Sequence, residues 1–137
     1  MAHILLVDDE AEIHGRYGRL LTNAGHTVEH AENRQIALMF LGDGAGVDPD
    51  LPVEMVVCDN HMGSDHEGVA LAEVLRNRGD MIPFILHTSD ELKFVLAENR
   101  FDITAHKIEY CKKDRANPDK LVQCVELLLE RISRAGL

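Results

Sequence analysis

Apolar residues along this chain come in short compact runs, each followed by a longer stretch in which they recur every three or four positions. His3 to Val7 (HILLV) is the first run. Ile13, Tyr17, Leu20 and Leu21 then share one face of a helix predicted from about Glu10 to Asn23, with Gly25 just beyond its end. Thr27 to His30 is a weaker strand, and Asn33 can cap a second helix carrying Ile36, Ala37, Phe40 and Leu41. Gly42 to Pro52 (GDGAGVDPDLP) reads as a connecting loop inside the domain. Val53 to Cys58 is a third strand, and Ser64 to Gly68 leads into a helix through Val69, Leu71, Ala72, Val74 and Leu75 that stops near Gly79. Met81 to His87 is a fourth strand, followed by a helix from Asp90 through Leu92, Val95 and Leu96. The segment from Arg100 to Lys107 has no clean period and no apolar stripe to anchor it. Ile108 to Cys111 is a short fifth strand, and Asn117 with Pro118 at the first helical position opens the last helix, through Leu121, Val125, Leu128 and Ile132.

Five strands alternating with five helices predict an α/β fold: a five-stranded parallel sheet with helices on both faces. The strands are apolar almost throughout, as strands buried on two sides should be. A length of 137 residues suits one domain, with a core from about residue 3 to 133 and no output domain in view.

Composition narrows the function. The net charge of −10, from 24 acidic against 14 basic residues, argues against direct nucleic-acid binding, which needs a basic face to neutralise phosphates. Three cysteines, Cys58, Cys111 and Cys124, cannot all pair within one chain and lie in apolar stretches, which predicts buried reduced thiols in a cytoplasmic protein. No CxxC spacing suggests a zinc site, no basic leader precedes the first strand, and no apolar run is long enough to insert in a membrane. Gly42, Gly44 and Gly46 do not form the strand-to-helix unit of a dinucleotide site. His61 and His66, with Asp65 between, are better read as solvated loop residues than as transition-metal ligands.

The strand ends carry the chemistry. Asp8 and Asp9 end the first strand, Asp59 the third, Thr88 the fourth, and Lys112 and Lys113 the fifth. In an open parallel sheet these ends share one edge, where ligands bind. Clustered carboxylates invite a hard divalent cation, and oxygen ligands with open water positions favour Mg2+. A carboxylate can also attack phosphorus, while a lysine and a hydroxyl bind the transferred group. Singly, each residue has an ordinary reading: helix caps for Asp8 and Asp9, turn residues for Thr88 and Ser89, packing for Tyr110, an edge charge pair for the lysines. Their joint placement favours one site.

The strand-end pair Asp8-Asp9, the D-x-x-M of Asp59 to Met62, the Thr88-Ser89 pair and the Tyr110-x-x-Lys113 spacing together resemble the response-regulator receiver family of two-component signalling, over essentially the whole chain. The resemblance implies the flavodoxin-like (βα)5 fold with strand order 2-1-3-4-5. It implies Asp59 as phosphoacceptor, and Mg2+ held by Asp8, Asp9, Asp59 and the backbone carbonyl of His61, with Asp9 the more direct ligand. Thr88 and Lys113 match the phosphate-binding hydroxyl and amine, and Tyr110 the aromatic switch. The implied partners are a sensor histidine kinase or histidine phosphotransfer protein and a downstream protein target. The face of the fourth helix, fifth strand and fifth helix is the expected docking or homodimer surface. Such a domain assists its own phosphorylation and dephosphorylation without being an enzyme on a separate substrate. Two alternatives stand beside this reading: an unphosphorylated pseudo-receiver that only binds, and a magnesium-dependent phosphatase with an aspartate nucleophile, which would want an acid where His61 stands. Four departures mark the chain. Asp114 replaces the proline usual after the lysine, where a non-proline cis bond would cost about 3 kcal/mol. Gly63 replaces a proline, Asp59 to Gly68 is one residue longer than usual, and Thr88 to Tyr110 is longer too.

Overall fold

The computed structural model describes residues 2–41, 52–63 and 66–135. The predicted loop from Gly42 through Leu51, and Ser64 and Asp65 ahead of the third helix, lie outside the described residues. Ten elements alternate: β1 (His3–Val7), α1 (Ala11–Asn23), β2 (Thr27–Ala31), α2 (Arg34–Leu41), β3 (Met55–Cys58), α3 (Glu67–Asn77), β4 (Phe84–Thr88), α4 (Leu92–Glu98), β5 (Ile108–Lys112) and α5 (Asp119–Ala135). The strands form one parallel sheet in the order β2-β1-β3-β4-β5.

Alternation of side chains along the strands divides the core in two. Leu5 and Val7 of β1, Val56 and Cys58 of β3, and Phe84 and Leu86 of β4 face α2, α3 and α4, meeting Ala37, Leu71, Leu75 and Val95. Ile4, Leu6, Met55, Val57, Ile85 and Cys111 face the other way, onto Tyr17 and Leu21 of α1 and Leu121, Val125 and Leu128 of α5. Every residue of β1, β3 and β4 is buried, while edge strand β2 is partly exposed, which is why its sequence signal is weak.

Several boundaries move for physical reasons. β4 begins at Phe84 rather than Met81: Met81 is exposed, and Pro83 has no N–H to give a ladder, although its carbonyl accepts from Val56 N–H at 2.9 Å. α2 is capped as predicted, with Asn33 Oδ1 accepting the Ile36 N–H at 2.8 Å. α4 has only seven residues, from Leu92, and buries Val95 alone. The segment after it is not unanchored, as its sequence suggests. Phe101 and Ile103 sink into the core, and Ile103 accepts the Ile108 N–H at 2.9 Å, tying the turn to the start of β5. Two isolated apolar residues outside a helix produce no period, so the anchor is invisible to a pattern search.

Candidate functional site at the carboxyl edge of the sheet

Because all five strands run the same way, the ends of β1, β3, β4 and β5 converge. The cleft there, of about 380 Å³, is lined by Glu10, Arg16, Asp59, His61, Ser89, Lys113 and Arg115, among others. Asp8 is 1% exposed and Asp59 6%, so both carboxylates sit at the floor, whereas Asp9 and Glu10 face solvent. Asp8, Asp9 and Glu10 each offer a carboxylate oxygen, all within 4.8 Å of one another. Glu10 is a carboxylate that the sequence reading missed. Its only signal is its place directly after the acidic pair.

Lys113 is the cation of the floor. Its Nζ lies 3.1 Å from Asp8 Oδ2 and 3.4 Å from Asp59 Oδ1, joining the ends of β1 and β3 from β5. Lys112 points away and pairs with Glu91 at 3.8 Å, as alternation along a strand requires. The Lys113–Asp114 peptide is trans.

Burial pushes the Asp59 carboxyl up to about 6, with Lys113 opposing the shift and Asp8 adding to it; the Asn60 and His61 backbone N–H groups hold the charged form. The Asn60 N–H reaches Oδ1 at 2.8 Å. Asp59 and Asp8 raise the Lys113 amine above its ordinary value against the opposing effect of burial. His87, one residue from Thr88 and edge-on to Tyr17, is driven down to about 3 by burial and then by Lys113, so it stays neutral.

The turn after Asp59 is built by groups that the sequence did not mark. Asn60, fully buried, accepts the Val69 N–H on Oδ1 at 3.1 Å and reaches Asp90 with its amide nitrogen at 3.3 Å, and its carbonyl accepts the Glu67 N–H at 2.8 Å. Gly63 has φ +86, the left-handed region, which accounts for glycine where proline would be impossible. Gly68 is required by space: a Cβ there would stand 2.4 Å from the Asp59 carbonyl oxygen. His61 and His66 are partly exposed, as expected of loop residues, but each is also held by an acid. His61 Nε2 meets Asp90 Oδ2 at 2.6 Å, and His66 Nε2 lies 3.3 Å from Glu98.

Thr88 is completely buried, and its Oγ1 accepts the Asp90 N–H at 3.2 Å. Tyr110, half-buried on β5, donates its hydroxyl to the Asp90 carbonyl. Asp90 therefore connects with the β3–α3 turn through its carboxylate, with Thr88 through its N–H and with Tyr110 through its carbonyl.

The donor set at the mouth is wholly hard oxygen, with exposed members that leave room for water, and it fits a small divalent cation of the Mg2+ kind rather than a soft metal. Among the described residues no helix is long and apolar enough to cross a membrane.

No family model matches the chain. A probable transcriptional regulatory protein of Picosynechococcus sp. is 33% identical over 85 residues, covering 62% of this chain and 34% of that protein. The chain thus spans about a third of the length of that curated relative. Among solved structures, a Francisella response regulator receiver domain superposes with TM-score 0.75 at 18% identity, covering 96% of this chain and 99% of that one. The response regulator TrrA of Thermotoga maritima, solved in complex with Mg2+-BeF, gives TM-score 0.67 at 26% identity over 93% of this chain and 99% of that one. A CheY-like receiver domain protein of Methanospirillum hungatei gives TM-score 0.72 at 19% identity, with 98% of both chains covered. With five parallel strands in the order 2-1-3-4-5 and five flanking helices, the chain has the fold of the response-regulator receiver domains.

Proposed function

We propose that this chain is a two-component signalling receiver, which accepts a phosphoryl group on Asp59 from a sensor histidine kinase or histidine phosphotransfer protein. The observation that carries the reading is the placement of Asp59: a carboxylate at the end of a buried strand, open to the cleft, with the Lys113 amine 3.4 Å from its Oδ1. An Asp59 oxygen attacks phosphorus, the bond from phosphorus to the donor nitrogen breaks, and a carboxyl phosphate forms. The Asn60 N–H fixes the carboxylate for attack, and the Lys113 amine meets charge gathering on the phosphoryl oxygens. Asp8, Asp9 and Asp59, with the His61 carbonyl, would hold Mg2+, and Glu10 is placed to join them. The bound ion would neutralise charge on the transferring group.

The phosphorylated site then changes a partner surface. Thr88 is one bond from the Asp90 N–H, and Asp90 holds Tyr110, so drawing the Thr88 hydroxyl toward phosphate disturbs the contact that fixes the ring. The groove beside that ring, lined by Leu92 of α4 and by Leu128 and Ile132 of α5, suits a downstream protein target or a second copy of the chain. The domain works in the cytoplasm, turns over no separate substrate and, at net charge −10, does not itself bind nucleic acid.

The test is incubation with a small acyl phosphate and Mg2+, followed by peptide mapping by mass spectrometry. The wild type should gain one phosphoryl group on the peptide containing Asp59, and Asp59→Asn should gain none. An unlabelled wild type, or a fully labelled variant, overturns the assignment.

A further inference from the structure

Away from the cleft, two thiols face each other between β5 and α5. Cys111 Sγ and Cys124 Sγ stand 2.9 Å apart, Cys111 buried and Cys124 partly exposed. We propose that Cys111 and Cys124 form a peroxide-responsive dithiol site that closes to an intramolecular disulfide tying β5 to α5. The sulfurs are already in contact, so closure needs less than about 1 Å of further approach to the bonded length of about 2.05 Å.

The two thiols differ in exposure, Cys111 being buried and Cys124 partly exposed, and that difference assigns their roles. The two sulfurs share one hydrogen bond; that contact, with Lys120 and Arg131, lowers Cys124 to about 7 against the opposing effects of burial and Glu109, while the contact and burial raise Cys111. Cys124, the partly exposed thiol, is the one that oxidant reaches, and the buried Cys111 beside it is the resolving partner. In the first step the Cys124 thiolate attacks one oxygen of hydrogen peroxide, the O–O bond breaks, and hydroxide leaves a sulfenic acid. In the second, the Cys111 sulfur attacks the Cys124 sulfur, the S–O bond breaks, and water departs with the thiol proton. Two thiols are oxidised and one peroxide is reduced to two waters. Cys58 does not compete: it packs on the opposite face of the sheet, fully buried, with its thiol pushed well up by burial and the nearby acids.

The site stands on the strand that carries Tyr110 and leads directly into Lys113, so its oxidation acts on the same element as the proposed switch without touching the acids. Its test is independent of phosphorylation. The native full chain is treated with hydrogen peroxide, free thiols are blocked, and tryptic peptides are mapped without reduction. The expected product is the peptide 108–112 linked to the peptide 121–131, with the loss of two hydrogen masses, and Cys58 blocked as a thiol. Cys111→Ser should leave Cys124 as a sulfenic acid captured by a cyclic 1,3-dione, and Cys124→Ser should give neither product. The proposal is overturned if both thiols stay free in the wild type, if the link joins two copies or involves Cys58, or if Cys124 runs on to sulfinic acid. The wild-type map decides the matter even if a serine variant fails to fold.

Discussion

Replacing Asp59 with asparagine should stabilise the folded chain at neutral pH. The carboxyl is 6% exposed and is raised from an ordinary 3.8 to about 6, chiefly by burial. At about 1.4 kcal/mol per pKa unit, this gap corresponds to about 3 kcal/mol by which the ionised group opposes folding. Water in the open cleft reduces it, so about 1–3 kcal/mol is expected. The asparagine carbonyl can keep the Asn60 N–H bond at the Oδ1 position, so little is lost in exchange. The pH dependence gives the prediction its signature. Below pH 3.8 the carboxyl is protonated in both folded and unfolded chains, and the two proteins should be equally stable. Between 3.8 and about 6 the unfolded chain releases its proton first, so wild-type stability falls against the variant as pH rises. Above about 6 the gap is constant. His87 works in the other direction: its folded value near 3 means stability lost as pH falls below 6.5. It is present in both proteins and cancels in the difference. Urea unfolding of both at several pH values, without divalent cation, measures the gap. Equal stability at pH 7, or a gap that persists unchanged below pH 4, would refute the buried-carboxylate reasoning.

Two further substitutions probe the site's construction. Gly68→Ala should cost about 1–3 kcal/mol or more, because its Cβ meets the Asp59 carbonyl oxygen at 2.4 Å and Leu86 Cδ1 at 2.8 Å; an unchanged urea midpoint together with undiminished labelling of Asp59 would contradict it. Asp9→Asn should weaken Mg2+ binding about tenfold or more, since a contact to a charged group is worth about 1.5–3 kcal/mol. Calorimetric titration that gives the same affinity for variant and wild type would remove Asp9 from the ligand set.

What could be read in advance follows from how local each signal is. β1, β3 and β4 are central and buried on both faces, so their composition alone marks them, and parallel pairing then brings Asp8, Asp59, Thr88 and Lys113 together. The choice of Lys113 over Lys112 rests on the Tyr110-x-x-Lys113 spacing; strand alternation adds that the two neighbours point opposite ways. The missed residues act over distance. Asn60 is one polar residue in a turn until the fold brings Val69 and Asp90 to it. Asp90 looks like a helix start, but α4 begins later and Asp90 holds His61 and Tyr110 instead. Gly68 looks like any helical glycine, since only the packed structure reveals the carbonyl that excludes a side chain. The Cys111–Cys124 contact is of the same kind: strand and helix each place one thiol, and nothing in either segment announces the other.

The reach of Lys113 has a mechanical consequence. Its main chain is fastened to β4 by its N–H to the Thr88 carbonyl at 2.8 Å, yet its amine extends past β4 to acids on β1 and β3. The side chain is thus a guy line from the outer part of the sheet to its centre, and its tension is set by the charge at position 59. A protonated Asp59 leaves only Asp8 pulling, an ionised one adds a second anchor, and a phosphorylated one would bring a charge approaching −2. Acidification and phosphorylation would therefore be opposite settings of one line, slackening or tightening β5 against the middle of the sheet.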